Sequence, residues 1–304
     1  MNWKKLKPAA YSLNMIKLMR PKHYLKNALV FVSITFSQRL FDPSTFIQVF
    51  GGFSAFSLLS SSVYILNDIR DVEADRQHAV KKNRPIASGV ISIPAACTAA
   101  TLLIVASIII YVMLCGFKWK SFALMACYFL VNLGYSLGLK HIPFVDIFLL
   151  VLGFLLRVLY GAAIIGEGVS NWVLLTVISM SFYLGLGKRR NELKKSVETG
   201  TTTRNVLKFY SFNFLDKFMY LCLSLAIIFY ALWSADDMII EKYNSDKLVW
   251  TVPFVLLLVM KYSADVESDS YGDPVDVITS DKSLIILGAI YILILLALIY
   301  VPKL

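Results

Sequence analysis

Long apolar runs separated by short polar stretches dominate the pattern of this chain. Each run is close to the roughly 20 residues that a helix needs to cross a bilayer. The pattern therefore predicts an all-α protein with nine membrane-spanning helices and no soluble domain between them. The predicted spans lie near residues 24–38, 46–66, 93–115, 119–138, 143–165, 171–187, 213–234, 247–261 and 283–301. The first and eighth runs are short for a bilayer, so a count of eight spans is the alternative.

Composition and charge support a single transmembrane domain over residues 1–304. Hydrophobic residues make up 58% of the chain and charged residues 16%, whereas soluble domains carry about 25% charged residues. Most Lys and Arg residues fall in the N-terminal segment and in the loops after even-numbered spans, and such residues stay on the cytoplasmic side. We therefore predict a multi-pass protein of the inner or plasma membrane, with a cytoplasmic N-terminus and a basic interfacial segment at 1–23.

The net charge of +10 belongs mainly to that one membrane face. Such a face suits anionic lipid or a phosphorylated substrate. Nucleic acid is a poor explanation, because the charge is spread over short loops between helices.

The stretch "NDIRDVEADRQHAVKKNRPIASG" follows the second apolar run directly. Asp68, Asp71 and Asp75 are spaced by three and four, so on a helix continuing from that run they share one face with Asn67. Carboxylates at this spacing repel each other, whereas Mg²⁺ binds carboxylate oxygens together with water and substrate phosphate. We predict that these four side chains hold Mg²⁺ at a catalytic site.

Basic residues stand on both sides of this acidic series. Lys81 and Arg84 follow it, and their charges suit the outer oxygens of the same phosphate group. Lys22 and Lys26 stand one turn apart before the first span, where they bind either a phosphate or lipid headgroups.

"NDIRDVEAD" matches the N-D-x-x-D-x-x-x-D signature of the UbiA superfamily of intramembrane prenyltransferases. The resemblance implies a nine-helix bundle with a polar cavity facing the cytoplasm, where Mg²⁺ bridges the motif to a substrate diphosphate. Most members carry a second aspartate-rich motif after the sixth helix. This chain has "GLGKRRNELKKSVETG" there, with Lys188, Arg189 and Arg190 in place of acids. Adjacent cations bind phosphate directly, so we expect a substrate with an additional phosphate.

Other stretches, among them "RPKHYLKN", "YSLGLKHIPFVD", "GKRRNEL" and "YGDPVDVITSDKSL", resemble the decaprenyl-phosphate phosphoribosyltransferase branch of that superfamily. This resemblance implies transfer of 5-phosphoribose from phosphoribosyl pyrophosphate (PRPP) to a polyprenyl phosphate, with release of pyrophosphate. In that branch the product serves cell wall biosynthesis. The acceptor phosphate is already ionised at pH 7, so we do not expect His23, His78 or His141 to act as a general base.

Two ionisable residues lie inside the fifth span. Each costs about 2.5 to 3.5 kcal/mol on membrane insertion scales, so each should face a polar cavity or a partner. Asp146 and Arg157 are about three turns, or roughly 16 Å, apart and cannot pair directly. We predict that Asp146 is catalytic at the mouth of the site. Arg157 then either orients the lipid phosphate or fixes a neighbouring helix.

Further substrate-binding candidates close the fourth span and flank the last one. Tyr135 and Lys140 end the fourth span on the motif side of the membrane. In the last cytoplasmic loop, the turn from Gly272 to Pro274 breaks any continuous acidic face, which leaves four candidates. These candidates are Lys261, Tyr262, Asp281 and Lys282. The alternative for Asp281 is that it only caps the ninth span.

Two other functions remain open at this point. An aromatic prenyltransferase using a prenyl diphosphate donor would keep the first motif, but it predicts a second aspartate-rich motif that is missing here. A non-enzymatic lipid or anion transporter predicts charges along a path through the midplane, where Arg157 is nearly alone. The sequence leaves open the lipid length and whether the protein is a homo-oligomer.

Overall fold

The computed structural model describes residues 8–78, 80–200, 205–268 and 273–301. Within these ranges the chain forms thirteen α-helices and five short 3₁₀ helices and contains no strand, which confirms the all-α prediction. The α-helices are α1 Pro8–Met19, α2 Val32–Phe36, α3 Pro43–Arg70, α4 Val72–Gln77, α5 Ile93–Cys115, α6 Trp119–Leu137, α7 Val145–Ile165, α8 Asn171–Thr199, α9 Phe212–Ser234, α10 Asp237–Tyr243, α11 Val252–Ser268, α12 Pro274–Ser280 and α13 Lys282–Tyr300. The 3₁₀ helices are Pro21–Phe31, Lys81–Asn83, Leu139–His141, Asn205–Phe209 and Lys247–Thr251.

The fold consists of two compact units. Unit 1 comprises Met1–Val32, Asp42–Leu139 and Leu156–Gly166, and unit 2 comprises Ser33–Phe41, Lys140–Leu155 and Glu167–Leu304. Helix α7 contributes its second half to unit 1 and its first half to unit 2.

Six described segments are long and apolar enough to cross a membrane. They are Pro43–Arg70, Ile93–Cys115, Val145–Ile165, Phe212–Ser234, Lys247–Glu267 and Lys282–Tyr300. All nine predicted segments are helical, but α6, α8 and the first segment are not among these six. The protein is therefore a helical protein of membrane type, and a count of nine spans is not confirmed.

The first predicted span, 24–38, is not one regular α-helix. It begins inside the 3₁₀ helix Pro21–Phe31 and continues into the short helix α2. Within unit 1, its polar side chains face α3: the Tyr24 hydroxyl lies 2.8 Å from the Ser61 hydroxyl, and the Asn27 amide donates to the Ser57 hydroxyl at 3.0 Å. This segment of the apolar pattern thus packs against protein through hydrogen bonds, which the sequence pattern did not indicate.

Helix α8 extends well beyond the predicted sixth span. The sixth span was predicted to end near residue 187, and this end is wrong, because α8 continues to Thr199. The added residues are mostly good helix formers, and Arg189 pairs with Glu192 one turn later at 2.6 Å. Gly200 then ends the helix with a φ of 66°, a left-handed conformation that glycine adopts without steric cost. The "KRR" residues therefore lie on a helix.

The acidic motif lies on two helices rather than one. Helix α3 ends at Arg70, α4 begins at Val72, and Asp71 lies between them with φ −91° and ψ 8°. Helical hydrogen bonds continue on both sides of this kink: the Asp71 N–H donates to the Asn67 carbonyl at 2.9 Å, and the Asp75 N–H donates to the Asp71 carbonyl at 2.8 Å. The motif therefore does not lie on the one uninterrupted helix that was predicted, because Asp71 separates α3 from α4. The backbone hydrogen bonds across Asp71 nevertheless keep the helical spacing of four residues.

A cluster of buried apolar side chains in unit 1 packs around the acidic motif. They come from α1, from the end of α3, from α4, from the loop that follows and from the first half of α5. The fully or nearly fully buried members are Leu18, Ile65, Val72, Ile86, Ile91, Ala96 and Ala100. Because these residues bury apolar surface from every element around the motif, its polar side chains rest on a packed support.

In unit 2, a second buried cluster joins the start of α7 to α8, α9 and the last three helices. Its members are Ile147, Val151, Tyr183, Leu186, Val206, Tyr210, Leu215, Met219, Tyr262, Val266, Val277 and Leu284. Helix α13 starts at a capped end, since Asp281 accepts from the Ser283 N–H at 2.6 Å and the Leu284 N–H at 3.0 Å. The alternative prediction that Asp281 caps the last span is confirmed.

Candidate active site

Two carboxylates of the motif converge in unit 1. Asp68 and Asp75 are each 3% exposed, and both contact one nitrogen of Arg84. The Arg84 Nη1 atom lies 2.6 Å from Asp75 Oδ2 and 3.0 Å from Asp68 Oδ1. Two nearly buried negative charges therefore meet at a point where a cation already sits. The spacing predicted that Asp68, Asp71 and Asp75 share one face; it did not predict that Arg84 bridges two of them.

A second arginine, Arg20, reaches the same carboxylate. Its Nη2 lies 2.5 Å from Asp68 Oδ1, and its guanidinium lies over the Tyr64 ring at 5.2 Å from the centroid. Arg20 has φ 54° and ψ 57°, a left-handed conformation that is strained for a residue other than glycine. Sequence analysis missed this residue, although it begins the quoted stretch "RPKHYLKN".

Asn67 and Asp71 form the other side of the cluster. The Asn67 amide nitrogen donates to Asp71 Oδ2 at 3.2 Å, and the Asn67 oxygen accepts from the Ser136 hydroxyl at 3.0 Å. Ser136, near the end of α6, thereby fixes which end of the amide faces Asp71. Ser136 was not predicted as a site residue, because its partner Asn67 is 69 residues away and no motif surrounds it in the sequence.

The donor set fits Mg²⁺ through a pair of carboxylates. Mg²⁺ in phosphate-handling sites uses one or two carboxylates and completes its shell with water and substrate phosphate. Asp68 and Asp75 supply such a pair, and the Arg84 nitrogen marks where their oxygens favour positive charge. No three Asp, Glu, His or Cys side chains of the described residues are grouped closely enough to hold a metal. A role for Asp71 and Asn67 as ligands therefore stays a prediction.

The remaining candidates of unit 1 lie around this cluster with different exposures. Lys22 is exposed, whereas Lys26, Lys81 and Tyr135 are partly buried. The Lys26 ammonium lies 3.4 Å from the His23 ring nitrogen Nδ1. Phosphate contacts of these four side chains stay predictions.

Arg157, in the second half of α7, is 5% exposed. Its Nε donates to the Asn27 side chain at 2.8 Å, and its Nη2 donates to the Tyr128 hydroxyl at 3.1 Å. The guanidinium also lies over the Phe56 and Tyr128 rings, at 5.4 Å and 4.8 Å from their centroids. Of its two predicted roles, these contacts favour fixing the neighbouring helices.

Asp146 lies in a buried network of unit 2. Asp146 and Arg189 are both 0% exposed, and Arg189 Nε lies 2.5 Å from Asp146 Oδ2. The Tyr210 hydroxyl donates to Asp146 Oδ1 at 2.7 Å and accepts from the Phe144 N–H at 2.7 Å. Burial raises the pKa of Tyr210, and the adjacent Asp146 raises it further, so this hydroxyl keeps the proton that it donates. Sequence analysis missed Tyr210.

The three cations of "GKRRNEL" have different environments. Arg189 is held by Asp146 and Glu192, so in this structure its guanidinium is not open to a phosphate. Arg190 pairs with Asp216 at 2.5 Å. The Lys188 side chain is partly exposed and makes no hydrogen bond or ion pair with another described residue. Of these three, Lys188 is the side chain best placed to accept an anion.

The last loop of unit 2 contains one more ion cluster. The Lys261 ammonium lies 2.5 Å from a carboxylate oxygen of Asp265 and 2.5 Å from one of Asp281. The hydrogen bond from Lys261, helped by the backbone amides at the start of α13, lowers the pKa of Asp281 to about 2. Gly272, in the predicted turn, lies outside the described residues.

The three other candidates of unit 2 differ in burial. Tyr262 is 7% exposed and packs edge-on against Tyr183, whereas Lys282 is exposed. Lys140 is 7% exposed in the middle of the 3₁₀ helix Leu139–His141. Their substrate contacts stay predictions.

Comparison with known proteins decides the family. The sequence profile of the UbiA prenyltransferase family matches residues 28–187, more than half of the chain. The chain belongs to the UbiA prenyltransferase family. Among curated relatives of this UbiA member, a decaprenyl-phosphate phosphoribosyltransferase from Corynebacterium glutamicum is 33% identical over 99% of this chain and 91% of the relative. The enzyme of that name from Mycobacterium tuberculosis strain H37Rv is 32% identical over 94% of each chain.

Solved structures agree with this UbiA assignment at the level of the fold. A UbiA homolog from Archaeoglobus fulgidus, bound to GPP and Mg²⁺, has a TM-score of 0.67 at 18% identity and covers 94% of this chain and 99% of its own. A digeranylgeranylglyceryl phosphate synthase has a TM-score of 0.61 at 15% identity and covers 96% of this chain and 100% of its own. At such identities the likeness concerns the fold alone.

Proposed function

We propose that this UbiA family member is a polyprenyl-phosphate phosphoribosyltransferase that transfers 5-phosphoribose from PRPP to a polyprenyl phosphate, with release of pyrophosphate. The observation that carries the proposal is the likeness to enzymes of that name over nearly the whole of both chains. The paired aspartates and neighbouring cations of unit 1 supply chemistry that this reaction needs.

Asp68 and Asp75 are the residues that we propose to hold Mg²⁺, with Asn67 and Asp71 beside them. Bound Mg²⁺ would neutralise negative charge on the leaving pyrophosphate as the bond to the ribose breaks. Arg84 Nη1 lies between these two carboxylates, so bound Mg²⁺ would take its place and leave Arg84 to meet the pyrophosphate oxygens.

The proposed reaction needs positive charge more than it needs a base. The lipid phosphate is ionised at pH 7, and one of its oxygens attacks C1 of the ribose while the electron pair of the C1–O bond leaves with pyrophosphate. Arg84 and Lys81 are the cations that we propose to meet the pyrophosphate oxygens. No proton has to be removed from the acceptor, which agrees with our assigning no histidine as a base.

In unit 2 we assign binding to Lys188 and a positioning role to its neighbours. The Lys188 side chain makes no hydrogen bond or ion pair with a described residue, so its ammonium is available to a substrate phosphate. Asp146 and Arg189 neutralise each other and anchor the second half of α8 to the start of α7. We infer that Asp146 acts by fixing this helix and that it does not contact the reacting atoms.

We place the N-terminus and the aspartate cluster on the cytoplasmic side of the membrane. PRPP is a water-soluble phosphorylated sugar, and the basic residues near helix ends favour that orientation. The test introduces one cysteine at Lys22 or at Trp250 into a variant without the four native cysteines and treats sealed cells with a thiol reagent that does not cross the membrane. Trp250→Cys should react in sealed cells and Lys22→Cys only after the cells are opened; reaction of Lys22→Cys in sealed cells would contradict the orientation.

A transfer assay tests the proposed function. Purified protein is incubated with Mg²⁺, PRPP labelled in the ribose and a polyprenyl phosphate, and the lipid phase is counted. We expect label in the lipid, and loss of it in Asp68→Asn and Asp71→Asn with folding retained. Lys188→Gln should raise the KM for PRPP. An unlabelled lipid phase, together with turnover of a prenyl diphosphate and an aromatic acceptor, would overturn the proposal in favour of the aromatic prenyltransferase.

A further inference from the structure

Four residues at three-residue spacing, Asp75, His78, Lys81 and Arg84, are linked to one another in a ring by hydrogen bonds and an ion pair. The His78 N–H donates to the Asp75 carbonyl at 3.2 Å, and the Lys81 N–H donates to the His78 ring nitrogen Nδ1 at 3.4 Å. The Arg84 N–H donates to the Lys81 carbonyl at 2.9 Å, and Arg84 Nη1 returns to the Asp75 carboxylate at 2.6 Å.

The imidazole of His78 is the acceptor at the centre of this ring. Its Nδ1 accepts from the Val80 N–H at 3.2 Å in addition to the Lys81 N–H. Two donors on Nδ1 require a lone pair there, so the geometry assigns the proton of the neutral ring to Nε2. His78 thereby satisfies backbone N–H groups at the start of the 3₁₀ helix Lys81–Asn83, as a capping side chain does at a helix start.

A neutral acceptor suits this position better than an acidic one. The usual capping residues include aspartate, but another carboxylate here would stand next to Asp75 and repel it. An imidazole accepts the same backbone hydrogens without adding charge to the cluster. Asparagine also offers an uncharged acceptor that reaches N–H groups two and three residues ahead.

We propose that His78 is a positioning residue of the aspartate cluster: its Nδ1 holds the 80–84 backbone in the turn that presents Arg84 to Asp68 and Asp75. His78 itself contacts no reacting atom, and it acts through Arg84. The consequence for donor binding rests on the proposed function. The consequence for the turn depends only on the hydrogen bonds of the ring.

The turn is tested by amide hydrogen exchange on the substrate-free protein, followed by mass spectrometry of the peptide that covers 80–84. In His78→Ala, we expect the Val80 and Lys81 amides to exchange about tenfold faster, since two hydrogen bonds are lost. His78→Asn should restore most of the protection. The control is Gln77→Ala, an exposed neighbour whose side chain makes no hydrogen bond with another described residue, and it should match the wild type.

The second measurement is binding and turnover of PRPP by the same variants. His78→Ala should weaken PRPP binding about tenfold and leave the KM for the polyprenyl phosphate unchanged, a split that general loss of folding would not give. His78→Asn should recover PRPP affinity. Wild-type exchange and wild-type PRPP affinity in His78→Ala would overturn the proposal, as would failure of His78→Asn to rescue either quantity. Faster exchange in His78→Ala beside a wild-type protein that binds no PRPP would support the ring and overturn the proposed function.

Discussion

Removal of the Arg84 charge tests whether this residue holds two repelling carboxylates together. Asp68 and Asp75 each contact Arg84 Nη1, at 3.0 Å and 2.6 Å. Their oxygens are therefore at most about 6 Å apart, and two unit charges at that distance repel by about 3 kcal/mol at an effective dielectric constant of about 20. Both carboxylates are nearly buried, so solvent screens this repulsion weakly.

Arg84→Gln should therefore lower the free energy of unfolding by about 2 to 3 kcal/mol in the absence of divalent metal. The loss should not exceed the full repulsion, because Arg20 still compensates part of the charge on Asp68. At roughly 2 to 4 °C per kcal/mol, the unfolding midpoint should fall by about 4 to 12 °C. Added Mg²⁺ should recover much of this loss, since a divalent cation replaces the missing charge.

The assay is thermal unfolding in detergent, with a metal chelator and then with excess Mg²⁺. Lys82→Gln removes the same charge from the same turn, but Lys82 is exposed and makes no ion pair with another described residue, so it should unfold near the wild-type temperature. If Arg84→Gln matched Lys82→Gln in the chelator, or if Mg²⁺ stabilised both variants equally, the charge-compensation account would be refuted.

Four further substitutions, one of them a control, test the rest of the structure by thermal unfolding. Gly161→Ala should destabilise by about 1 to 3 kcal/mol, because its Cβ would lie 2.1 Å from a backbone carbonyl oxygen, whereas Gly288→Ala, with no atom within 4 Å, should be neutral or stabilising; equal midpoints would contradict this. Asp146→Asn should cost about 3 kcal/mol, since the buried Arg189 loses one of its two carboxylate partners and keeps only Glu192, and a change below about 1 kcal/mol would contradict the ion pair between Asp146 and Arg189. The pKa of Asp281 is lowered to about 2 from 3.8, so its contribution is present above about pH 4 and is lost as the pH falls through about 2. Asp281→Asn should therefore flatten the loss of stability between pH 4 and pH 2, and a profile parallel to the wild type would count against the Lys261 contact.

Much of the fold follows from the apolar pattern alone. The run 93–115 coincides with α5, and the runs at 143–165 and 213–234 differ from α7 and α9 by only a residue or two at their ends. Long apolar segments are predictable because each must satisfy its backbone hydrogen bonds internally. The 24–38 segment was not predictable in this way, since hydrogen bonds from Tyr24 and Asn27 to α3 decide its conformation.

In the candidate site too, contacts between residues close in sequence were predictable and contacts between distant residues were not. Asp68 and Asp75 are close in sequence, and a spacing of seven places them on one side of a helical path despite the kink at Asp71. The contacts of Asp146 with Arg189 and Tyr210 join residues 43 and 64 positions apart, and no local pattern signals such pairs. Residues whose partners are distant in the chain therefore received phosphate-binding or catalytic roles that their buried contacts do not favour.

The central claim is that the lipid phosphate is the acceptor and a phosphorylated pentose is the group transferred. Mass spectrometry of the lipid, after incubation with PRPP, polyprenyl phosphate and Mg²⁺, measures this directly. We predict a lipid that keeps its own phosphate and gains one phosphoribosyl unit, with one pyrophosphate released for each lipid converted. A lipid that loses its phosphate or gains nothing while the protein consumes a prenyl diphosphate would contradict the account.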